Sequence, residues 1–290
     1  MFDNIFAAIE KWMRELLTGM VESNMSTMFT DVNEKTSEIA AQVGRTPQNW
    51  NSSVFSMIQN LSESVVVPIA GIIITLVLCY ELISMLTERN NLHDVDTWMF
   101  FKYFVKAWVA IYLVSNTFTI TMAVFDVGQS VVNSASGIIN GETAIDVSSL
   151  SMQMQAAMAT MEIGELVVLA LETFLVSFCM KIMSVVITVI VYGRMIEIYL
   201  YTSLAPIPFA TMSNREWGHV GTNYFRGLFA LAFQAFLMMV CVAIYAALIS
   251  SVRISNNMHS ALIGVAAYTV ILCFSLMKTG SLSKQIFGSH

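Results

Sequence analysis

Ionisable residues interrupt an otherwise apolar stretch of the sequence between residues 166 and 192. Glu172 and Lys181 lie inside this stretch, and Arg194 and Glu197 follow directly after it. Ionisable side chains in such a setting are costly in hydrocarbon and mark a proton path, an ion path or a contact inside an assembly. Glu172 and Lys181 are nine residues apart, so they face opposite sides of a helix and each needs a partner elsewhere. Arg194 and Glu197 are three apart, which places them to form an ion pair.

The sequence predicts no catalytic, cofactor-binding or metal-binding residues. It lacks the phosphate-binding pattern GxxxxGK[ST], the nucleophile pattern GxSxG and the zinc pattern HExxH. The four histidines are scattered, and the four cysteines lie in apolar stretches without the spacing of a zinc site. Thioethers suit copper, but no His or Cys accompanies the methionine cluster, so we interpret it as flexible packing: Met152, Met154, Met158 and Met161. The chain is therefore not expected to be an enzyme.

Two prolines, Pro206 and Pro208, break the apolar sequence SLAPIPFATM. A proline within a helix removes an N–H donor and clashes with the carbonyl four residues earlier. The preceding residues, Ala205 and Ile207, are expected to adopt extended backbone. The helix before the break is then about ten residues long, half of what a bilayer crossing requires. The run 195–213 is thus predicted to be a re-entrant hairpin, or alternatively a sixth span kinked at its prolines.

The composition is that of a membrane protein. The chain has 290 residues, of which 56% are apolar and 12% are charged, with a mean hydropathy of +0.68. Average soluble domains carry about 25% charged residues. Several stretches reach the roughly 20 apolar residues that span a bilayer. We therefore predict an all-α polytopic membrane protein with the proline-broken run and about five transmembrane helices, at residues 65–86, 103–125, 166–192, 227–250 and 260–277.

The first twenty residues form a predicted amphipathic helix rather than a signal peptide, because acids and bases are interspersed among the apolar residues. The apolar side chains fall on one arc of this helix and the charged ones fall opposite. Such a helix lies in a membrane interface, docks on a partner or packs on its own protein. The sequence that follows is polar, with breaks at Gly44 and Pro47. We predict an extracytoplasmic or interfacial segment, 1–64, followed by a transmembrane domain, 65–290.

The distribution of basic residues sets the predicted orientation. Cytoplasmic loops are enriched in Lys and Arg. No Lys or Arg occurs between Lys106 and Lys181, which predicts that the acidic loop 126–163 is external. The loop that contains Arg89 and Lys102 is then cytoplasmic. The N-terminus is accordingly expected outside the cell, and a re-entrant proline-broken run places the C-terminus in the cytoplasm.

The region that follows the third predicted span has a distinctive order of features. They are the opening Arg194–x–x–Glu197, the Ala-Pro-Ile-Pro break, a short polar turn with Glu216 and Gly218, and a Gly/Ala-rich span with Gln234. Over residues 194–245 this order resembles the TrbL or VirB-six-like family, the polytopic inner-membrane subunit of type IV secretion systems, in the form carried by conjugative elements of Gram-positive bacteria. The wider arrangement of N-terminal segment, spans and central external loop is also similar to that family.

The resemblance implies a structural subunit of a DNA-transfer machine in the cytoplasmic membrane. The subunit would form a homo-oligomer beside transport ATPases and a bitopic assembly factor, and help relaxase-bound DNA cross the lipid bilayer without a cofactor. By resemblance, the candidate residues for assembly or gating are Arg194, Glu197, Pro206, Pro208, Arg215 and Glu216. Tight binding of nucleic acid by this chain alone is not expected, because the sequence has no basic stripe for a phosphate backbone.

A secondary transporter or solute channel is the alternative. Transporters bind substrates at broken helices near the middle of the membrane, and buried acids such as Glu172 carry protons. Such breaks usually come in pairs from inverted repeats, whereas this sequence shows one proline break and no second counterpart. Solute uptake by purified protein in liposomes would favour a transporter, and co-purification with transport ATPases would favour secretion.

Overall fold

The computed structural model of the protein describes residues 2–87, 97–139, 147–252 and 258–289, and Arg89 lies outside them. Within these ranges the chain is helical and contains no strand. A π-helical turn, Ser62–Val66, joins α3 to α4. The helices in chain order are α1 (Phe2–Val43), α2 (Pro47–Trp50), α3 (Ser52–Leu61), α4 (Val67–Thr87), α5 (Thr97–Ser115), α6 (Thr117–Ile139), α7 (Val147–Met158), α8 (Ile163–Ser203), α9 (Pro206–Thr211), α10 (Gly218–Ser250) and α11 (Met258–Phe287).

Five helical stretches among the described residues are long and apolar enough to cross a membrane. They are Ser52–Thr87, Thr97–Ser115, Ile163–Ser203, Gly218–Ser250 and Met258–Phe287. The predicted all-α polytopic membrane fold is therefore confirmed.

The second expected span, 103–125, is not one continuous helix in the structure. Helix α5 ends at Ser115 and α6 begins at Thr117. At the turn between them, both the backbone N–H and the side-chain amide of Asn116 donate to the carbonyl of Tyr112, at 3.1 and 2.9 Å. An asparagine side chain that competes for backbone partners in this way favours helix ends over helix interiors.

Much of the segment expected to be the external loop 126–163 is helical. It contains the second half of α6 and all of α7, while residues 140–146 lie outside the described residues. Met154 and Met158 are buried, in agreement with the interpretation of the methionine cluster as packing.

Helix α8 continues without a break through the boundary expected between the third span and the proline-broken run. It has 41 residues, about twice the roughly 20 that a bilayer requires. The expected ten-residue arm of a re-entrant hairpin is therefore wrong, because residues 195–203 form the last part of α8. A single glycine, Gly193, costs a helix only about 1 kcal/mol, too little to separate two elements within so apolar a run.

The chain forms two compact units, each built from three segments. The first unit comprises Met1–Val43, Ser134–Val191 and Met238–Lys278, and the second comprises Gly44–Asn133, Tyr192–Leu237 and Thr279–His290.

In the first unit, the second half of α1 lies beside α8 and runs in the same direction. Asn24 Nδ2 donates to Thr173 Oγ1 at 3.5 Å, and Lys35 Nζ donates to Thr188 Oγ1 at 3.3 Å. Residue numbers rise together along both helices, so the helices are parallel. The buried apolar face of α1 in this region consists of Val21, Met25, Met28, Phe29, Val32, Ile39 and Val43.

The predicted N-terminal amphipathic helix is confirmed, and it is longer than expected because α1 continues to Val43. Its apolar arc over the first twenty residues is exposed, with Phe6 at 68% and Trp12 at 61%. The described part of the chain therefore leaves much of this arc uncovered.

In the second unit, α4 and α5 pack against each other, and the short helix α9 packs on both. The Tyr103 hydroxyl donates to the Leu78 carbonyl at 3.0 Å. The shared core contains Ala70, Ile74, Leu78, Ala110, Val114, Phe209 and Ala210. The segment after the proline break is thus part of the core of this unit.

Candidate functional site

The proline break in the second unit satisfies its own carbonyls. The Ala205 N–H donates to the Thr202 carbonyl at 3.3 Å, and the Ile207 N–H donates to the Leu204 carbonyl at 3.2 Å. These are the two carbonyls that the prolines deprive of their usual helical partners. Tighter bonds to the third residue along the chain commonly satisfy such groups at helix ends.

The expectation of extended backbone before the prolines is wrong. Ala205 has φ −50° and ψ −39°, which is helical, and Pro206 starts α9. Proline suits the first position of a helix, because the N–H that it lacks would have no partner there. The steric bias against helix before proline is outweighed here by the burial of Phe209 and Ala210 in the core of the unit.

Asn214 organises the turn that follows α9. Its Oδ1 accepts hydrogen bonds from the N–H groups of Glu216 at 2.7 Å and Trp217 at 3.0 Å. Its carbonyl accepts the Gly218 N–H at 2.9 Å, where α10 begins. Asparagine is among the preferred residues for satisfying the free N–H groups before a helix. Because Asn214 is only 3% exposed, it anchors the turn towards the protein interior.

Side chains of α4 and α5 hold this turn in place. The Asn214 Nδ2 donates to one carboxylate oxygen of Glu81 at 3.4 Å, and the other oxygen pairs with Lys106. The carboxylate thus joins two helices and the turn through charge-assisted contacts, which are stronger than neutral ones. We call residues 212–217 the clamped turn.

The clamped turn has a second attachment near the end of α4. The Tyr80 hydroxyl donates to the Glu216 carboxylate at 3.1 Å, and its ring stacks on Trp217 with centroids 5.8 Å apart. Arg215 is exposed beside these contacts. The clamp therefore presents an arginine at a fixed position on the surface of the second unit.

Close backbone contact also fixes α10 against the proline break. A Cβ atom at Gly221 would lie 2.5 Å from the carbonyl oxygen of Pro208 and would overlap the side chain of Met212. One turn later, Tyr201 of α8 and Tyr224 of α10 stack with ring centroids 4.5 Å apart. Each tyrosine hydroxyl donates to the other residue's carbonyl, at 3.1 and 2.9 Å. The break, the clamped turn and the start of α10 thus form one closely packed structure.

The predicted ion pair between Arg194 and Glu197 is replaced by other contacts. Arg194 is 7% exposed, and its Nη2 donates to the Leu231 carbonyl of α10 at 3.4 Å. Glu197 pairs instead with Lys284 of α11 at 3.0 Å. Arg194 and Glu197 do not pair with each other because the Arg194 side chain points into the unit, whereas the Glu197 side chain lies on its surface.

The model of the family described as TrbL/VirB6 plasmid conjugal transfer like protein matches residues 32–206, more than half of the chain. The chain belongs to this family. The match runs from the second half of α1 to the first proline of the break, and it confirms the resemblance seen in the sequence. Comparison with curated proteins and with solved structures finds no match. Family membership makes the chain a membrane component of a conjugal transfer system.

In the first unit of this TrbL/VirB6-like chain, Glu172 and Lys181 have different surroundings. The half-buried Glu172 contacts Nδ1 of His259, at the start of α11. Lys181 is exposed on α8 among exposed apolar side chains such as Phe178 and Ile182. The partner expected outside the helix is therefore present for Glu172, whereas the described residues show none for Lys181.

Loss of the Glu197–Lys284 pair is expected to have a small effect. Both side chains are exposed, at 43% and 46%, and exposed ion pairs contribute about 0–1 kcal/mol. Glu197→Gln should therefore leave the melting temperature of the purified TrbL/VirB6-like protein within about 3 °C of the wild type. Thermal unfolding in detergent checks this. A much larger drop would show that the pair is enclosed by lipid or by a neighbouring subunit.

The sequence points to the prolines, Arg215 and Glu216, but not to Asn214 and Gly221, the two residues that fix them. Asn214 had a usable signal, since an asparagine shortly before a helix start is a capping pattern. Gly221 had none, because its importance comes from a contact with Pro208 thirteen residues away. Within the described residues, no group of three or more His, Cys, Asp or Glu side chains is placed to hold a metal ion. The contacts of this site fix positions, and none of them places a nucleophile beside a base.

Proposed function

We propose that this TrbL/VirB6-like chain is a structural subunit of a conjugative type IV secretion system and helps relaxase-bound DNA to cross the cytoplasmic membrane. The observation that carries the proposal is the family match over residues 32–206. Five helices able to span a membrane support it. In this role the chain has no catalytic residue, and it contributes a membrane-embedded framework to the machine.

The clamped turn and the broken helix are proposed to serve assembly. Arg194, Glu197, Pro206 and Pro208 fix the end of α8, while Glu216 holds the turn against Tyr80. Arg215 is left exposed on this fixed turn. A charged residue on a rigid support loses little conformational entropy on binding, which suits a contact with a transport ATPase or another secretion subunit.

Assembly as a homo-oligomer is part of the proposal, and Lys181 supports it. An ionisable residue within a membrane span usually faces the interior of a bundle or water rather than lipid. Lys181 lies at the surface of the first unit, so a neighbouring subunit or an aqueous space would supply its surroundings. The proposed orientation places the N-terminus outside and the C-terminus in the cytoplasm, on the distribution of basic residues.

The geometry of the break favours this proposal over a transporter. Transporters use the free backbone groups of broken helices to bind substrates and ions. Here the carbonyls of Thr202 and Leu204 already accept hydrogen bonds, and the next helix is buried in an apolar core. The break therefore offers these backbone groups to no substrate.

Mating frequency from a donor with an in-frame deletion of the gene tests the proposal. Transfer should fall by several orders of magnitude, with normal growth, and return when the intact gene is supplied in trans. Complementation with Arg215→Glu should restore protein level but not transfer, whereas Ser213→Ala should restore both. Unchanged transfer from the deletion strain would contradict the proposal.

A further inference from the structure

The second half of α1 is a polar helix that lies beside a membrane-spanning one. The contacts Asn24–Thr173 and Lys35–Thr188 place residues 24–35 of α1 level with residues 173–188 of α8. That part of α8 belongs to the apolar stretch expected to cross the bilayer, whereas α1 is not among the helices apolar enough to do so.

Exposed residues of α1 in this region form one continuous stripe without a large apolar side chain. They recur every three or four residues, the spacing of one helix face. The stripe consists of Ser23, Ser26, Thr27, Thr30, Glu34, Ser37 and Ala41. Half-exposed ionisable residues flank it, namely Glu22, Asp31, Lys35 and Glu38. We call these seven exposed residues the hydroxyl stripe.

At the same level, α8 exposes a different kind of surface. Its exposed side chains there are mostly large and apolar, namely Phe174 at 57%, Phe178 at 57%, Ile182 at 46% and Val185 at 63%, with the exposed Lys181 among them. Large apolar side chains along a spanning helix suit lipid. A carboxylate at the same depth costs about 2.5–3.5 kcal/mol even on insertion scales, so the stripe and its charged flanks do not suit lipid.

We propose that the hydroxyl stripe borders a water-filled passage through the membrane, while the exposed apolar side chains of α8 contact lipid. The inference rests on the proposed function, because a transfer subunit would provide a path through the membrane and the inference assigns one wall of that path to α1. Polar helices are stable at membrane depth where they pack on apolar spans on one side and meet water on the other.

The chemistry of the stripe suits a hydrated polyanion in transit. Its hydroxyl groups are neutral, and Glu34 is its one acidic side chain. Affinity for nucleic acid comes mainly from Lys and Arg contacts with phosphates, which the stripe does not offer. A wall of this kind keeps a strand hydrated without holding it.

Cysteine accessibility in donor cells that carry the complete transfer system tests the proposal. Single cysteines are placed at Ser26, Thr30 and Glu34, in a background without Cys79, Cys179, Cys241 and Cys273. Level-matched controls are Phe178→Cys, Ile182→Cys and Val185→Cys. A membrane-permeant but water-dependent maleimide should label the stripe positions at least tenfold faster than the controls, because thiolates form in water and not in lipid.

Two outcomes would overturn the inference. Stripe positions as slow as the controls would show that protein or lipid covers them, and controls as fast as the stripe would show that this level lies outside the bilayer. Met25→Cys and Met28→Cys lie on the buried face of α1 and should stay unlabelled. Labelling at either position would show that the variant is misfolded. The mating test is independent of the labelling test. Fast labelling of the stripe, together with transfer that is unaffected by deletion of the gene, would contradict the proposed function but would still support the water-filled passage.

Discussion

Gly221→Ala is expected to destabilise the protein by about 1–3 kcal/mol, the usual cost of an overpacked site. The added methyl group would lie 2.5 Å from the carbonyl oxygen of Pro208, which is backbone and cannot rotate away. It would also overlap Met212 of the clamped turn. To make room, α10 must move off the proline break, and the contacts between α9 and the clamped turn must loosen together.

The matched control is Gly193→Ala in α8, where an added Cβ meets nothing within 4 Å. Alanine is favoured over glycine in a helix by about 1 kcal/mol, so this variant should be neutral or slightly stabilised. Thermal unfolding in detergent should separate the two variants by about 5 °C or more. Mating frequency should fall at least tenfold for Gly221→Ala alone. Equal behaviour of both variants would contradict the packing described at the break.

The features that depend on local sequence were predictable. Proline removes a donor wherever it stands, so the break at Pro206 followed from the sequence, and the apolar runs predicted the spans. The response of the chain was harder to foresee, because Ala205 stayed helical when packing of the next helix opposed the local bias. A local steric preference is small beside the burial of an aromatic side chain.

Pairing between distant elements could not be predicted. Arg194 and Glu197 are close in sequence, yet Glu197 pairs with Lys284, eighty-seven residues away. The contacts of Glu81 with Lys106 and Asn214 likewise depend on how α4, α5 and the clamped turn pack. Side-chain partners across helices are set by tertiary packing, about which periodicity carries no information.

Helix α1 shows the same limit at a larger scale. The spacing of its apolar residues predicted an amphipathic helix. The exposed arc with Phe6 and Trp12 agrees with a surface that binds a membrane or a partner protein. Its course beside α8 was not predictable, because polar composition favoured a separate external segment. Since α1 is unbroken and its second half is parallel to α8, the first half extends the same line. We therefore expect the first half of α1 to project beyond the end of the membrane-spanning part of α8.

Asn214→Ala is expected to destabilise the clamped turn by about 2 kcal/mol or more. The substitution leaves the N–H groups of Glu216 and Trp217 without their acceptor, and loss of a helix cap costs about 0.5–2 kcal/mol. It also removes the donor to the Glu81 carboxylate, which is only partly exposed at 24%. A partly buried charge that loses a hydrogen bond adds to the cost. Transfer should fall with the loss of the turn.

Ser213→Ala, one residue earlier, is the matched control for this prediction. The Ser213 hydroxyl is buried and has no hydrogen-bond partner among the described residues, so its removal should be neutral or stabilising. Melting temperatures in detergent should therefore order Ser213→Ala at or above wild type and Asn214→Ala lower by about 4 °C or more. Labelling of an added Arg215→Cys should stay constant in the Ser213→Ala background and accelerate in the Asn214→Ala background as the turn opens. If both alanines shift stability equally, the turn is held by main-chain geometry and Asn214 is not its clamp.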